Sequence, residues 1–262
     1  MDLGIEGRCA LVTGGSQGIG RACAEALAAE HVSVAIVARD PDRLVETVEA
    51  ISARNNGRIV PVAADLATAE GVAAAVDEAT QALGRIDILV NNAGAAPLGR
   101  IDEIDDETWQ SCFDLKVMGY VRCARAVLGG MREAGWGRII NIIGRGGHFP
   151  TAKYIAGGSM NAALLNFTQA LAEEAGPDGV LVNGINPTAT ATARWSKLVE
   201  QRSQMTGETI EEITAVSAFS VPLGRIGEPE DIASMVTFLC SEQASFVNGA
   251  LIDVDGGQSR AL

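Results

Sequence analysis

The chain has 262 residues, 47% of them hydrophobic and 4% aromatic, with 30 glycines and a formal net charge of −13. That length suits one α/β domain, and the acidic balance speaks against a nucleic-acid or anionic-membrane partner while leaving room for a local basic pocket. Cys9, Cys23, Cys112, Cys123 and Cys240 are odd in number and lack metal-type spacing, so they read as reduced thiols of a cytoplasmic protein with no metal site.

In chain order, "CALVTGG" reads as a short buried strand and 17–30 as a helix. The strand "VSVAIVAR" precedes a helix over 41–54, and "RIVPVAAD" precedes one over 68–83. The strand "IDILVNNAG" leads to a helix over about 106–133, and "GRIINIIG" to one over about 153–175. Next comes the strand "VLVNGINP", then a long irregular connection over about 188–224, read as a mobile lid over a substrate. The helix "EPEDIASMVTFLCS" and the strand "GALIDVDGG" close the chain. This alternation predicts an α/β fold over 1–262: one Rossmann-type domain, a doubly wound parallel sheet with helices on both faces. The N-terminus lacks a basic region followed by a long apolar stretch, so no secretory signal is expected. No apolar run reaches the roughly 18 residues of a membrane span.

"TGGSQGIG" (13–20) follows a strand and opens a helix. Gly14, Gly18 and Gly20 let the backbone approach a pyrophosphate, and Ser16, Gln17 and Ile19 complete the turn onto a helix N-terminus with free N–H groups. At the end of the second strand an acid would accept from the ribose 2′-hydroxyl of NAD. Here Ala38 and Arg39 stand instead, and a guanidinium suits a 2′-phosphate. The reading is NADP(H) in preference to NAD(H).

Together with Asp65, NNAG (91–94), GRIINI (137–142), NAALLNFTQALA, VNGINP (182–187), PLGRIGEPEDIA (222–233) and NGALIDVDGG (248–257), this turn resembles the short-chain dehydrogenase/reductase family over nearly the whole chain. The resemblance implies hydride transfer between nicotinamide and an alcohol/carbonyl pair. It implies that Asp65 and Leu66 meet the adenine and that Asn91, Ala93 and Gly94 support the cofactor wall. It also implies that Pro187 and Thr192 lie near the nicotinamide, although the glycine expected after Pro187 is Thr188.

The family's acid–base chemistry uses a serine, a tyrosine, a lysine and an asparagine. Aligned without gaps on NAALLNFTQ, the serine position is Gly144, the tyrosine position Gly157 and the lysine position Asn161. The asparagine position, on the preceding helix, is Lys116. Lysine and asparagine have exchanged walls of one cavity, Asn161 still lying against the cofactor. Tyr154 stands three residues before the usual tyrosine, so a helix running from 153 puts it on the same face. The expectation is an atypical site in which Tyr154 with Lys116 does the acid–base work; His148 is a further candidate acid. Gly157-Gly158 costs roughly 1 kcal/mol per glycine in a helical turn and leaves room where a phenol ring would stand, or reflects a frayed helix start.

Arg145, His148, Lys153 and Lys116 lie on segments that the resemblance places around the substrate, which suggests an acidic small molecule; Trp195 is a candidate apolar wall. The apolar helices 106–133 and 153–175 suggest a homo-oligomer, a tetramer by resemblance. An oxidoreductase is the first reading. A lyase or isomerase on the same scaffold and a non-catalytic nucleotide-binding subunit are the alternatives.

Overall fold

Seven strands form one parallel sheet in the order β3-β2-β1-β4-β5-β6-β7. In chain order they are β1 (Cys9–Thr13), β2 (Ser33–Ala38), β3 (Ile59–Ala63), β4 (Ile88–Asn91), β5 (Gly137–Ile142), β6 (Val180–Pro187) and β7 (Leu251–Val254). The structure, a computed structural model, describes residues 2–55 and 57–260.

Strand side chains divide by parity between two cores. Ala10 and Val12 of β1 pack in one cluster with Val34, Ile36, Ile88 and Val90, whereas Leu11 packs in the other with Ala35, Val37 and Leu89. Successive side chains of a strand point to opposite faces. Both faces are covered here, so the strands read as unbroken apolar runs instead of alternating ones. The first cluster includes α1 (Gly18–Ala29) and α9 (Pro229–Cys240), and the second α3 (Ala69–Leu83), α5 (Gly119–Ala134) and the end of α6 (Ile155–Ala175). The helix α2 (Pro41–Ser52) starts at Asp40, whose carboxylate accepts from the Arg43 N–H. The strand order reverses between β1 and β4. In such sheets ligands bind outside the carboxyl ends of the strands at that switch point.

Two expectations need correction. The helix over 106–133 is interrupted: α4 (Asp106–Phe113) passes into a π turn, Asp114–Met118, before α5. The wider turn contains Lys116, which it holds buried, and single π turns within α-helices recur at functional sites. The connection 188–224 is not irregular. It holds α7 (Ala193–Thr206) and α8 (Ile210–Phe219), joined through Gly207 in the left-handed region. Thr192 caps α7, and Thr209 with Glu212 forms a capping box on α8. These two helices bury only Val199 and Ile213 between them. Their apolar periodicity is therefore faint, and the capping residues are the surviving sequence signal.

Candidate active site

The glycine turn sits at the switch point. Gly14 and Gly18 have φ of +64° and +55°, where side chains are strained. A Cβ on Gly20 would stand 2.3 Å from the Gly14 carbonyl oxygen. Asn92 ties β4 to the same turn, its Nδ2 donating to the carbonyls of Thr13 (3.0 Å) and Gly14 (3.2 Å). The Ala93 N–H donates to the Thr13 hydroxyl at 3.0 Å. The first turn of α1 carries no acidic residue, and Gln17 at its N-cap makes no capping hydrogen bond. Its leading N–H groups thus remain available to an anion, and the turn fits a dinucleotide pyrophosphate. Ser16 is buried and its carbonyl accepts from Thr47; Ile19 packs on the core beside the turn. Arg39 is exposed at the end of β2. Nearby, Arg43 donates to the Gln17 side chain at 3.1 Å, a second basic group at this corner that the sequence reading passed over.

Further along the cleft, Asp65 is exposed and accepts from the Ala67 N–H, while Leu66 is buried. Asn91 does not face the cleft. It is fully buried and donates to Asn141 at 3.0 Å, bracing β4 against β5. Pro187 ends β6. Thr192 leans over the glycine turn, its methyl carbon 3.1 Å from where a Gly18 Cβ would be.

Lys116 and Asn161 meet. Lys116 Nζ donates to Asn161 Oδ1 at 2.5 Å and to the Ile143 carbonyl at 2.7 Å. Asn161 Nδ2 in turn donates to the Gly144 carbonyl at 3.2 Å. Gly94 makes room for the lysine stem: a Cβ there would lie 3.0 Å from Lys116 Cδ. Burial, and secondarily the positive charge of Arg194, lowers the Lys116 pKa from 10.5 to about 7.

Tyr154 precedes α6 as its N-cap and is not yet helical, with φ −129° and ψ 38°. The assumed helical spacing to Gly157 therefore does not apply. Its phenol ring nevertheless reaches that glycine: a Cβ on Gly157 would stand 2.0 Å from Tyr154 Cζ. The Gly157-Gly158 pair is not a frayed start. Both residues are buried, and the Gly158 N–H donates to the Tyr154 carbonyl at 2.8 Å.

The cation that touches Tyr154 is not Lys116 but Arg194, in the first turn of α7. Arg194 Nη2 donates to the Tyr154 hydroxyl at 3.1 Å, and Nη1 donates to the Gly94 carbonyl at 2.6 Å. The phenol oxygen is an acceptor in this contact, so its own proton remains free to donate. Sequence reasoning missed Arg194, which sits in a stretch taken for an irregular connection; its place two residues after the capping Thr192 was the available signal.

The other expected cations are dispersed. Arg145 lies over the Phe149 ring and near Asp255, its Nε donating to Ser259 at 3.1 Å. His148 and Lys153 are exposed, and Trp195 is half-buried behind the Thr192 cap. Among the described residues no group of three or more His, Cys, Asp or Glu side chains is placed to hold a metal, and no helix is long and apolar enough to cross a membrane.

Residues 14–259 match the profile of a family described as Enoyl-(Acyl carrier protein) reductase. The chain is 38% identical over 252 residues to the short-chain reductase protein NovJ of Streptomyces niveus, covering 95% of this chain and 93% of that protein. It is 35% identical over 262 residues to the 3-oxoacyl acyl-carrier-protein reductase FabG of Pseudomonas aeruginosa, covering 97% and 98%. The crystal structure of L-sorbose reductase from Gluconobacter frateurii, complexed with NADPH and L-sorbose, superposes with a TM-score of 0.95 at 38% identity, each chain covered in full.

Proposed function

The chain belongs to the short-chain dehydrogenase/reductase family, and we propose that it is an NADP(H)-dependent oxidoreductase acting on a small carbonyl/alcohol substrate through an atypical active site. The observation that carries this reading is the packing of the Tyr154 ring over Gly157. At the position where the family has its tyrosine, this chain has a glycine, and a tyrosine from outside the helix lies across it.

The glycine turn and Thr192 would hold the pyrophosphate and nicotinamide end, Asp65 and Leu66 the adenine, and Arg39 with Arg43 the 2′-phosphate. When bound, the nicotinamide supplies or accepts a hydride. Tyr154 donates its free hydroxyl proton to the substrate oxygen as it gains charge. The Arg194 guanidinium holds the phenol oxygen in place and offsets the negative charge left on it. Lys116, bonded to Asn161 and the Ile143 carbonyl, fixes the Gly144 loop through Asn161. We read 188–224 as the substrate lid, because Arg194 and Thr192 at the start of α7 close over Gly94 and the glycine turn.

The substrate we propose is acidic, because Arg194 stands beside the Tyr154 hydroxyl with no carboxylate partner among the described residues. We also propose a homotetramer. Exposed positions on α5 and α6 include Ala126, Gly129, Gly130, Ala162, Ala163 and Ala170, small residues over which another subunit's helices can approach closely.

The test is consumption of NADPH, followed by its absorbance, with a panel of ketones, aldehydes and oxo acids. Carbonyl-dependent consumption is expected, reduced about 100-fold or more in Tyr154→Phe. An unchanged rate in that variant removes Tyr154 from the chemistry. Turnover of a substrate with no change in the nicotinamide would favour a lyase or isomerase. Tight NADPH binding with no turnover would favour a non-catalytic subunit.

A further inference from the structure

Among the described residues, six arginines other than Arg194 are buried or half-buried, and each has a carboxylate within 4.0 Å: Arg8, Arg21, Arg122, Arg138, Arg145 and Arg202. Arg194 is half-buried and has none among the described residues. The chain holds 33 acidic residues against 20 lysines and arginines, so carboxylates are not scarce. Partly desolvating a cation without a counter-charge is costly, and its present partners are neutral. They are the Gly94 carbonyl at 2.6 Å, the Tyr154 hydroxyl at 3.1 Å and the Ala96 carbonyl at 3.5 Å. The last is long for a hydrogen bond. A guanidinium carries five N–H donors, so capacity for a further acceptor remains.

Lys116 also lacks a carboxylate partner among the described residues. It is bonded only to an amide oxygen and a carbonyl, and the positive charge of Arg194 adds to the burial that makes its ammonium unfavourable. An anion bound at Arg194 would supply the counter-charge that the guanidinium lacks among the described residues.

We propose that Arg194 anchors a substrate carboxylate, so that the substrate is an oxo acid whose carboxylate pairs with the guanidinium while its carbonyl oxygen meets the Tyr154 hydroxyl. This rests on the oxidoreductase reading above. The 3.1 Å contact between guanidinium and phenol limits the distance between the two groups in the ligand. Carbonyl and carboxylate must be close neighbours, as in a 2-oxo or 3-oxo acid. The chain beyond them is left free in length, because Arg194 does not define the far end of the cavity. Since Arg194 opens α7, an anion held between it and Tyr154 would also fasten the lid over the substrate.

The experiment is equilibrium binding, by calorimetry on the protein with and without NADP+, which has no hydride to give to an oxo acid. The probes are a series of 2-oxo and 3-oxo acids of short, medium and long chain, each paired with its methyl ester. At least one acid should bind about tenfold or more tightly than its ester, the scale of a charge-assisted hydrogen bond. Arg194→Met should erase that preference, and Arg194→Lys should keep part of it. The proposal is overturned if no acid is preferred, if Arg194→Met keeps the preference, or if that variant loses NADP+ affinity instead, which would assign Arg194 to the cofactor. If the preference holds and is lost with Arg194 but no acid consumes NADPH, the anchor stands and the oxidoreductase reading fails.

Discussion

The phenol tip of Tyr154 lies across Gly157 so closely that the two residues cannot both carry a Cβ and a ring in their present places: the separation would be 2.0 Å. Gly157→Ala should therefore evict the ring. An alanine favours the helix by roughly 1 kcal/mol, so the melting temperature should hold or rise while turnover falls toward that of Tyr154→Phe, about 100-fold. Turnover equal to wild type would show that the ring position is not used.

Lys116 predicts a pH dependence of stability. Its pKa is about 7 in the fold against 10.5 for the free side chain. Below pH 7 both states hold the proton and the full penalty of burying the ammonium is present. Between those values the unfolded chain binds more protons, so stability rises with pH across that window. The gain is on the order of a few kcal/mol. Urea midpoints of wild type should climb from neutral to alkaline pH relative to Lys116→Met, which cancels the other titrating groups. Parallel curves would contradict a buried, titrating Lys116.

Arg39 stands exposed where an acid would select NAD(H), with Arg43 beside it on Gln17. Wild type should bind NADPH at least tenfold more tightly than NADH, as expected for charge-assisted contacts to a phosphate. Arg39→Asp should invert the order by repulsion. Titration of both nucleotides decides this, and equal or tighter NADH binding by wild type would reject the NADP(H) assignment.

Gly14 has φ +64°, and a Cβ there would lie 2.8 Å from Asn92 Nδ2. Gly14→Ala should cost roughly 1–2 kcal/mol in backbone strain and push away the amide that joins β4 to the turn. Loss of nucleotide affinity by tenfold or more, with the far-ultraviolet spectrum retained, is the expected outcome. Undiminished affinity would place the nucleotide elsewhere.

The small exposed residues of α5 and α6 lead to a mass prediction. Light scattering in dilute solution should report about four times the 27.2 kDa chain. A single-chain mass would rule out assembly.

The sequence by itself determined the strand and helix alternation, the glycine turn and Arg39 at the end of β2. Each is written in contiguous residues, through side-chain period, spacing and backbone demand. The sequence could suggest that Lys116 and Asn161 face one another, but only folding shows the two in contact at 2.5 Å, because the π turn that holds Lys116 buried leaves no periodic mark. Tertiary structure alone decided that Tyr154 takes its cation from Arg194. That arginine reaches Gly94 from 100 positions away, carried by a helix with too few buried residues to announce itself. Contacts of that kind depend on how α7 lies across the ends of the strands, and no local spacing records it.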